Sequence, residues 1–192
     1  MRDPERVAGH MFRMGSMAML LEGATGTEDC DKILDGSAVI VSILHDVAEC
    51  IVGDITPHDK VCSNSNDYLG PSEDNWLIFK VTPEEKHAKE MKAMRSLVEK
   101  LPSPLARELF NAFERYETQR EGDSGAKLTK DLDKFDMILQ AYEYEKAERK
   151  RKDFLEQFFS STKDVFKTEQ VKILVKHLLG LRTEMHSGEN EA

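Results

Sequence analysis

Apolar residues recur every three or four positions along most of the chain, which is the spacing of one face of an α-helix. Helices are predicted over about residues 5–22, 37–52, 83–100, 126–150, 153–159 and 168–185, with another beginning at 103. No window shows the strict alternation of apolar and polar residues that indicates a half-buried strand. The pattern therefore predicts an all-α helical bundle.

The predicted helix over residues 37–52 has four charged or ionisable residues in or just after an otherwise apolar run. His45 and Asp46 are adjacent, and Glu49 follows them by four and three positions, which places it on the same side of a helix. Gly53 predicts the end of the helix, so Asp54 would stand beyond it. A metal ion is one partner that would offset the cost of burying His45 and Asp46. The alternative is a pair exposed on the helix surface.

Other candidate ligands lie far away in the sequence. His10 stands beside the apolar stripe of the first predicted helix, where a core-edge histidine bonded to a neighbour is the alternative interpretation. Asp131, Asp133 and Asp136 fall within the predicted helix over 126–150. Their spacing does not decide which of them turns inward, and most acids in such a helix belong to a solvated face.

Composition narrows the possible partners. The chain has 192 residues, a formal net charge of −9 and 40% hydrophobic residues, as expected for a globular protein. The negative charge argues against a nucleic-acid polymer as partner, because phosphate backbones bind clustered Lys and Arg. No apolar run approaches the roughly 20 residues that cross a bilayer, so no membrane association is expected. Three unpatterned cysteines predict an intracellular, cytoplasmic protein, although the residues do not separate cytosol from nucleus.

The least regular part of the chain is residues 54–82, which is rich in polar and turn-forming residues. A loop of this length in a compact domain is usually functional, disordered or an insertion. It ends where Thr82, Pro83 and Glu85 predict a capped helix start. We expect one domain over residues 1–185, with 62–81 as a loop insertion and 186–192 as a disordered tail.

The order of His10, His45-Asp46 and a later helical Asp resembles that of HD-domain metal-dependent phosphohydrolases. A closer resemblance lies in four stretches, which begin at Glu5, His45, Pro83 and Lys130. These stretches are similar to the eukaryotic branch of the 5′-deoxynucleotidase family of HD-domain proteins. They read ERVAGH, HDVAECIVGDITP, PEEKH and KDLDKFDMILQAYEYE.

This resemblance implies a chemistry and the residues that carry it. The implied metal ligands are His10, His45, Asp46 and Asp133, whose ligand atoms should lie within about 5 Å of a common centre. The implied catalytic acids are Glu49 and Asp54. The expected substrate contacts are Ile55 and Thr56. Family members remove phosphate from deoxyribonucleoside 5′-monophosphates with a divalent ion such as Mn, Co or Mg. They commonly form homodimers, so a homodimer is expected.

Two departures from the family pattern bear on substrate binding. Family members carry an Arg and a Trp on a further N-terminal helix and loop, and Arg2, Arg6 and Trp76 do not occupy matching positions. We therefore expect this chain to lack that helix, besides carrying the insertion near 62–81. Two alternatives stay open on this basis. One is an HD-domain phosphodiesterase for another phosphate ester, and the other is a catalytically impaired metal- or nucleotide-binding product.

Overall fold

The computed structural model describes residues 5–23, 36–53, 60–62, 78–80, 82–149, 151 and 153–188. Helices make up nearly all the regular structure of these residues, which confirms the all-α class. The helices are α1 (Val7–Gly23), α2 (Ser37–Leu44), α3 (Glu49–Val52), α4 (Pro83–Val98), α5 (Ser103–Thr118), α6 (Ser124–Glu148), α7 (Glu156–Ser161) and α8 (Glu169–Gly188). None of these helices is long and apolar enough to cross a membrane.

The structure adds one short strand pair that the apolar pattern does not predict. β1 (Lys60–Cys62) and β2 (Ile78–Lys80) pair antiparallel, with Val61 opposite Phe79. Each strand has three residues, which is too short for an alternating pattern to stand out in the sequence. Residues 63–77 and 81, which make up most of the predicted insertion, lie outside the described part of the chain.

The prediction of one continuous helix over 37–52 is wrong, because the helix is interrupted at residues 45–48. The amide of His45 still bonds Val41 four residues back, whereas those of Glu49 and Cys50 bond carbonyls only three residues back. This change of hydrogen-bond spacing is the tighter geometry of a 3₁₀ turn. The predicted terminus is confirmed, since Gly53 follows α3 with a φ of 77°.

Side chains cap the starts of α4 and α6. At the start of α4, the Thr82 hydroxyl accepts from the Glu85 amide and the Glu85 carboxylate accepts from the Thr82 amide. This reciprocal capping box confirms the predicted helix start. At the start of α6, the Asp123 carboxylate accepts from the Ala126 amide at 2.9 Å.

The described residues belong to two compact units, Met1–His45 with Asn111–Ala192, and Asp46–Phe110. In the first unit α6 is the central helix, since α1, α2, α7 and α8 all pack against it. Its apolar face and those of its neighbours form one core. The most buried members of this core are Met14, Ala18, Ala38, Leu132, Ile138 and Val171.

At Gly125 the start of α6 lies close to the start of α2. A Cβ atom at Gly125 would lie 2.7 Å from the Ser37 hydroxyl oxygen and 3.3 Å from the Ala38 amide nitrogen. Any larger residue would push the start of α2 away, so the glycine permits the contact. The α2 helix is in this way held against the N-terminal half of α6, the half that carries Asp133.

In the second unit, α3 packs against α4, and Ala48, Ala93, Met94 and Val98 are buried. The single-domain expectation for residues 1–185 stays a prediction. The last helix, α8, continues to Gly188, three residues into the predicted tail, and residues 189–192 lie outside the described chain.

Candidate metal centre

Three of the predicted ligands come together in the first unit although they are distant in sequence. His10 lies on α1, His45 directly follows α2, and Asp133 lies on α6. One ligand atom from each lies within 4.8 Å of the others. The two imidazole rings are 5.3 Å apart between centroids, and His10 Nε2 is 3.5 Å from Asp133 Oδ1. The packing of α1 and α2 on α6 creates this cluster.

The Nδ1 atom of each histidine contacts an acceptor. His10 Nδ1 lies 2.7 Å from Asp136 Oδ2, and His45 Nδ1 lies 2.8 Å from the Ser42 carbonyl oxygen. Carboxylates and carbonyls accept hydrogen bonds, so each neutral ring carries its proton on Nδ1. The Nε2 atoms then hold the lone pairs that bind metals, and their rings are fixed in orientation.

Asp133 and His45 are both oriented by Tyr116 from α5. The Tyr116 hydroxyl donates to Asp133 Oδ2, and its ring packs against the His45 ring with 4.7 Å between centroids. The Lys130 ammonium lies over the Tyr116 ring, 3.5 Å from its centre. One buried side chain therefore supports two members of the cluster at once.

Arg13 keeps Asp136 in place behind His10. The guanidinium contacts both Asp136 oxygens, at 2.5 and 3.0 Å, and also Glu5 at 2.9 Å. Burial lowers the pKa of Arg13, but the hydrogen bond and charge of Asp136 outweigh it and raise that pKa overall. Glu5, His10 and Asp136 form a second group with metal-like spacing. Arg13 already supplies the cation for the Glu5 and Asp136 carboxylates. This second group therefore supports His10.

The other predicted site residues fall in the second unit or outside the described residues. Asp46 is half-buried, and its carbonyl accepts from the Glu49 amide at 2.9 Å. Glu49 begins α3 and its side chain is only 6% exposed. Asp54, Ile55 and Thr56 lie outside the described residues.

Glu49 has a cationic neighbour that sequence reasoning missed. Lys86 Nζ lies 3.8 Å from Glu49 Oε1 and 3.4 Å from Glu90 Oε1. Burial lowers the pKa of Lys86, yet the charges of Glu90 and Glu49 outweigh this and raise the pKa overall. Lys86 is therefore an ammonium ion at neutral pH. The capped start of α4 fixes this lysine one turn into the helix.

Two of the acids on α6 have partners that their spacing could not indicate. Asp136 is 1% exposed and holds His10, and Asp131 is 2% exposed. Asp131 Oδ2 accepts from the amides of Lys167 and Thr168 at 2.7 and 2.6 Å, so it ties down the start of α8. The expectation that most acids in this helix are solvated is wrong for these two. The one feature of the sequence that could have singled them out is that both lie within three residues of Asp133 on the same helix.

The donor set fits a divalent ion. Two neutral imidazoles and a carboxylate are ligands that divalent metal ions accept, and neighbouring side chains and carbonyls hold these ligands in orientation by hydrogen bonds. A protein-family model for the HD domain matches residues 1–174, which is most of the chain. The chain belongs to the HD-domain family. The resemblance inferred from the sequence is confirmed at this level.

Curated relatives of this HD-domain chain carry one activity in their names. The proteins named 5′-deoxynucleotidase HDDC2 from Homo sapiens and Xenopus laevis are 37% and 40% identical. The matches cover 91% and 90% of this chain, and 71% of each relative. The protein named 5′-deoxynucleotidase YGK1 from Saccharomyces cerevisiae is 34% identical over 92% of this chain and 70% of its own length.

Solved structures agree on the fold. The structure described as HD domain-containing protein YGK1 superposes with a TM-score of 0.62 at 24% identity, covering 94% of this chain and 79% of that one. The PH0347 protein from Pyrococcus horikoshii OT3 gives a TM-score of 0.54 at 25% identity, covering 96% and 84%. These superpositions support the HD-domain architecture of the helices.

Proposed function

We propose that this protein is a metal-dependent 5′-deoxynucleotidase that hydrolyses the phosphomonoester of deoxyribonucleoside 5′-monophosphates. The observation that carries the proposal is the cluster of His10, His45 and Asp133. Hydrogen bonds already orient its two imidazole rings for metal binding. The names of the relatives support the substrate class, because the similarity extends over nine-tenths of this chain.

The proposed metal ligands are His10, His45, Asp46 and Asp133. Asp46 completes the set because it follows His45 directly and because the family resemblance assigns it that role. Neutral imidazoles with two carboxylates suit Mn, Co or Mg, with positions left for water and phosphate. A bound divalent ion would neutralise the phosphate oxygens and lower the pKa of a coordinated water.

The remaining proposed roles concern the two proton transfers of the reaction, one from the attacking water and one to the leaving oxygen. The oxygen of a water molecule attacks phosphorus, the bond from phosphorus to the sugar O5′ breaks, and the leaving oxygen takes up a proton. We assign Glu49 to orient the water and accept its proton, since a buried carboxylate at the start of α3 fits general-base work. Asp54 is assigned to the leaving oxygen or the sugar, and Ile55 and Thr56 to substrate contact.

The proposal is tested on the purified chain with dAMP and added Co²⁺, by measuring phosphate release and bound metal together. Glu49→Gln should lower turnover about 10²–10⁴-fold, the usual cost of losing a general base. Its cobalt content should stay unchanged, because Glu49 is not among the four proposed ligands. The matched control is Glu108→Gln, which changes an exposed residue of α5 and should leave turnover unaltered.

A substrate panel and the Glu49→Gln variant have outcomes that would contradict the proposal. No phosphate release from any deoxynucleoside monophosphate would refute the enzymatic role, and release from cyclic nucleotides alone would move the substrate class. Equal activity in Glu49→Gln and the parent would remove Glu49 from the mechanism.

A sedimentation experiment tests the homodimer that the family resemblance implies, and a monomer would contradict it.

A further inference from the structure

A lysine lies between two buried carboxylates in the second unit. Lys86, one turn into α4, places its ammonium 3.4 Å from Glu90 Oε1 and 3.8 Å from Glu49 Oε1. The side chains of Glu49 and Glu90 are 6% and 12% exposed, whereas the Lys86 side chain is 33% exposed. The contact joins α3 to α4, the two helices that pack together in this unit.

The two contacts of Lys86, with Glu90 and with Glu49, differ in kind. Glu90 stands one helical turn after Lys86 and is the nearer carboxylate, so it anchors the ammonium. The distance to Glu49 is too long for a hydrogen bond, so this half acts through charge. The buried, neighbouring Glu49 and Glu90 would repel each other without the cation between them. Lys86 thus holds the Glu49 carboxylate in position by electrostatic attraction.

The same charges argue against a direct phosphate contact. Two carboxylates and one ammonium leave the trio with a net charge of −1, which repels a phosphate dianion. A lysine used for phosphate binding would present an uncompensated positive charge instead. The local electrostatics therefore favour a role through Glu49 over a role in substrate binding.

We propose that Lys86 is a positioning residue, anchored by Glu90, that holds the carboxylate of Glu49 ready for the reaction. The inference rests on the proposed function, because it needs Glu49 to act on the water. It adds a residue of α4 to the proposed role of Glu49, which lies on α3 of the same unit. It also gives the capped start of α4 a functional reason, since the cap fixes the turn that carries Lys86.

The test measures kcat, KM and cobalt content for Lys86→Met and Lys86→Arg with dAMP. Lys86→Met should lower kcat about 10–100-fold, the usual effect of losing a supporting residue, with KM within about twofold of the parent. Lys86→Arg keeps the charge and should recover most of kcat, although its planar head will not fit as well. Cobalt content should stay the same in both. The control is Lys89→Met, an exposed lysine of the same helix, which should match the parent.

Lys86→Met removes a cation from beside two buried carboxylates, which costs stability and can impair folding. The double variant Lys86→Met with Glu90→Gln removes that repulsion and should show the same loss of kcat. An unchanged kcat in either variant would overturn the proposal. A raised KM at constant kcat would show a substrate contact instead, and equal losses in Lys86→Met and Lys86→Arg would show a merely structural role. Failure of the proposed function looks different, because then the parent itself releases no phosphate or Glu49→Gln stays active.

Discussion

The long helix α6 carries two acidic clusters whose carboxylates have different partners. Near its middle, Asp133 meets the rings of His10 and Tyr116, and its neighbour Asp136 holds His10 from behind. Near its end, Glu145 accepts from Arg182 Nε and Nη2 at 2.8 and 2.9 Å. Both clusters join α6 to another helix, and both bury carboxylates.

The difference between them is the source of the cation. Arg182 is 3% exposed, and its two hydrogen bonds to Glu145 raise the pKa of the guanidinium although burial lowers it. It also contacts Glu156 at 2.9 Å and the ring of Phe159 at 3.6 Å. The protein therefore supplies the positive charge for Glu145. Around Asp133 it supplies oriented imidazoles, which under the proposed function bind a cation that comes from solution.

The first prediction separates the stabilising cluster from the binding cluster. Glu145→Gln should lower the free energy of unfolding by about 3–5 kcal/mol, because it leaves Arg182 as a buried charge without its main partner. Urea unfolding in EDTA measures this. Asp133→Asn is the matched control, and it should lose cobalt binding while changing stability far less. Similar stability losses in the two variants would mean that the two clusters do not differ in this way.

The second prediction concerns the support of the binding cluster. Tyr116→Phe removes the hydroxyl that donates to Asp133 but keeps the ring that packs on His45. The Kd for cobalt should rise about 10–100-fold, as is typical when an outer-shell partner of a ligand is lost. Isothermal titration calorimetry measures it without reference to activity.

Tyr142→Phe is the matched control for Tyr116→Phe. Tyr142 is a half-buried tyrosine of α6 with Lys146 5.9 Å from its ring centre, and it should bind cobalt like the parent. An unchanged cobalt Kd in Tyr116→Phe would show that Asp133 is held by its backbone position alone.

Local patterns predicted the framework of the molecule. The stripe of α1, the capping box at Thr82 and the stop at Gly53 depend on residues close in sequence, and all three are confirmed. The break at residues 45–48 was missed because helical spacing continues through it. Apolar periodicity gives the face of a residue but not the hydrogen-bond spacing of the backbone.

Partners from distant helices could not be predicted in the same way. Tyr116 fits the apolar stripe of α5, and nothing in that stripe shows that its hydroxyl reaches Asp133 on α6. Asp131 and Asp136 looked like surface acids because their partners, Thr168 and Arg13, are 37 and 123 positions away. A buried carboxylate is recognised by the group that compensates its charge, and that group comes from the tertiary fold.

The smallest predicted effect belongs to a third pair of an acid and an arginine, which is more exposed than Glu145 and Arg182. Asp123 precedes α6 and accepts from Arg115 Nε and Nη2 of α5 at 2.7 and 2.8 Å. The hydrogen bond from Arg115 lowers the pKa of Asp123, and it outweighs the opposite effect of burial. Asp123→Asn keeps a helix-capping side chain, so it removes the ion pair and little else. It should destabilise the protein by about 1 kcal/mol at pH 7, the upper end for partly exposed pairs.

The pH dependence of that effect gives a sharper test. Because the folded pKa of Asp123 lies below its unfolded value, the stabilisation is complete above roughly pH 4, near the unfolded pKa. It is lost as the pH falls through the folded value, where Asp123 becomes protonated and resembles asparagine. The difference in unfolding free energy between the parent and Asp123→Asn should therefore be constant from pH 5 to 7 and shrink below about pH 4. A difference that persists at low pH would show that shape, and not charge, makes this pair stabilising.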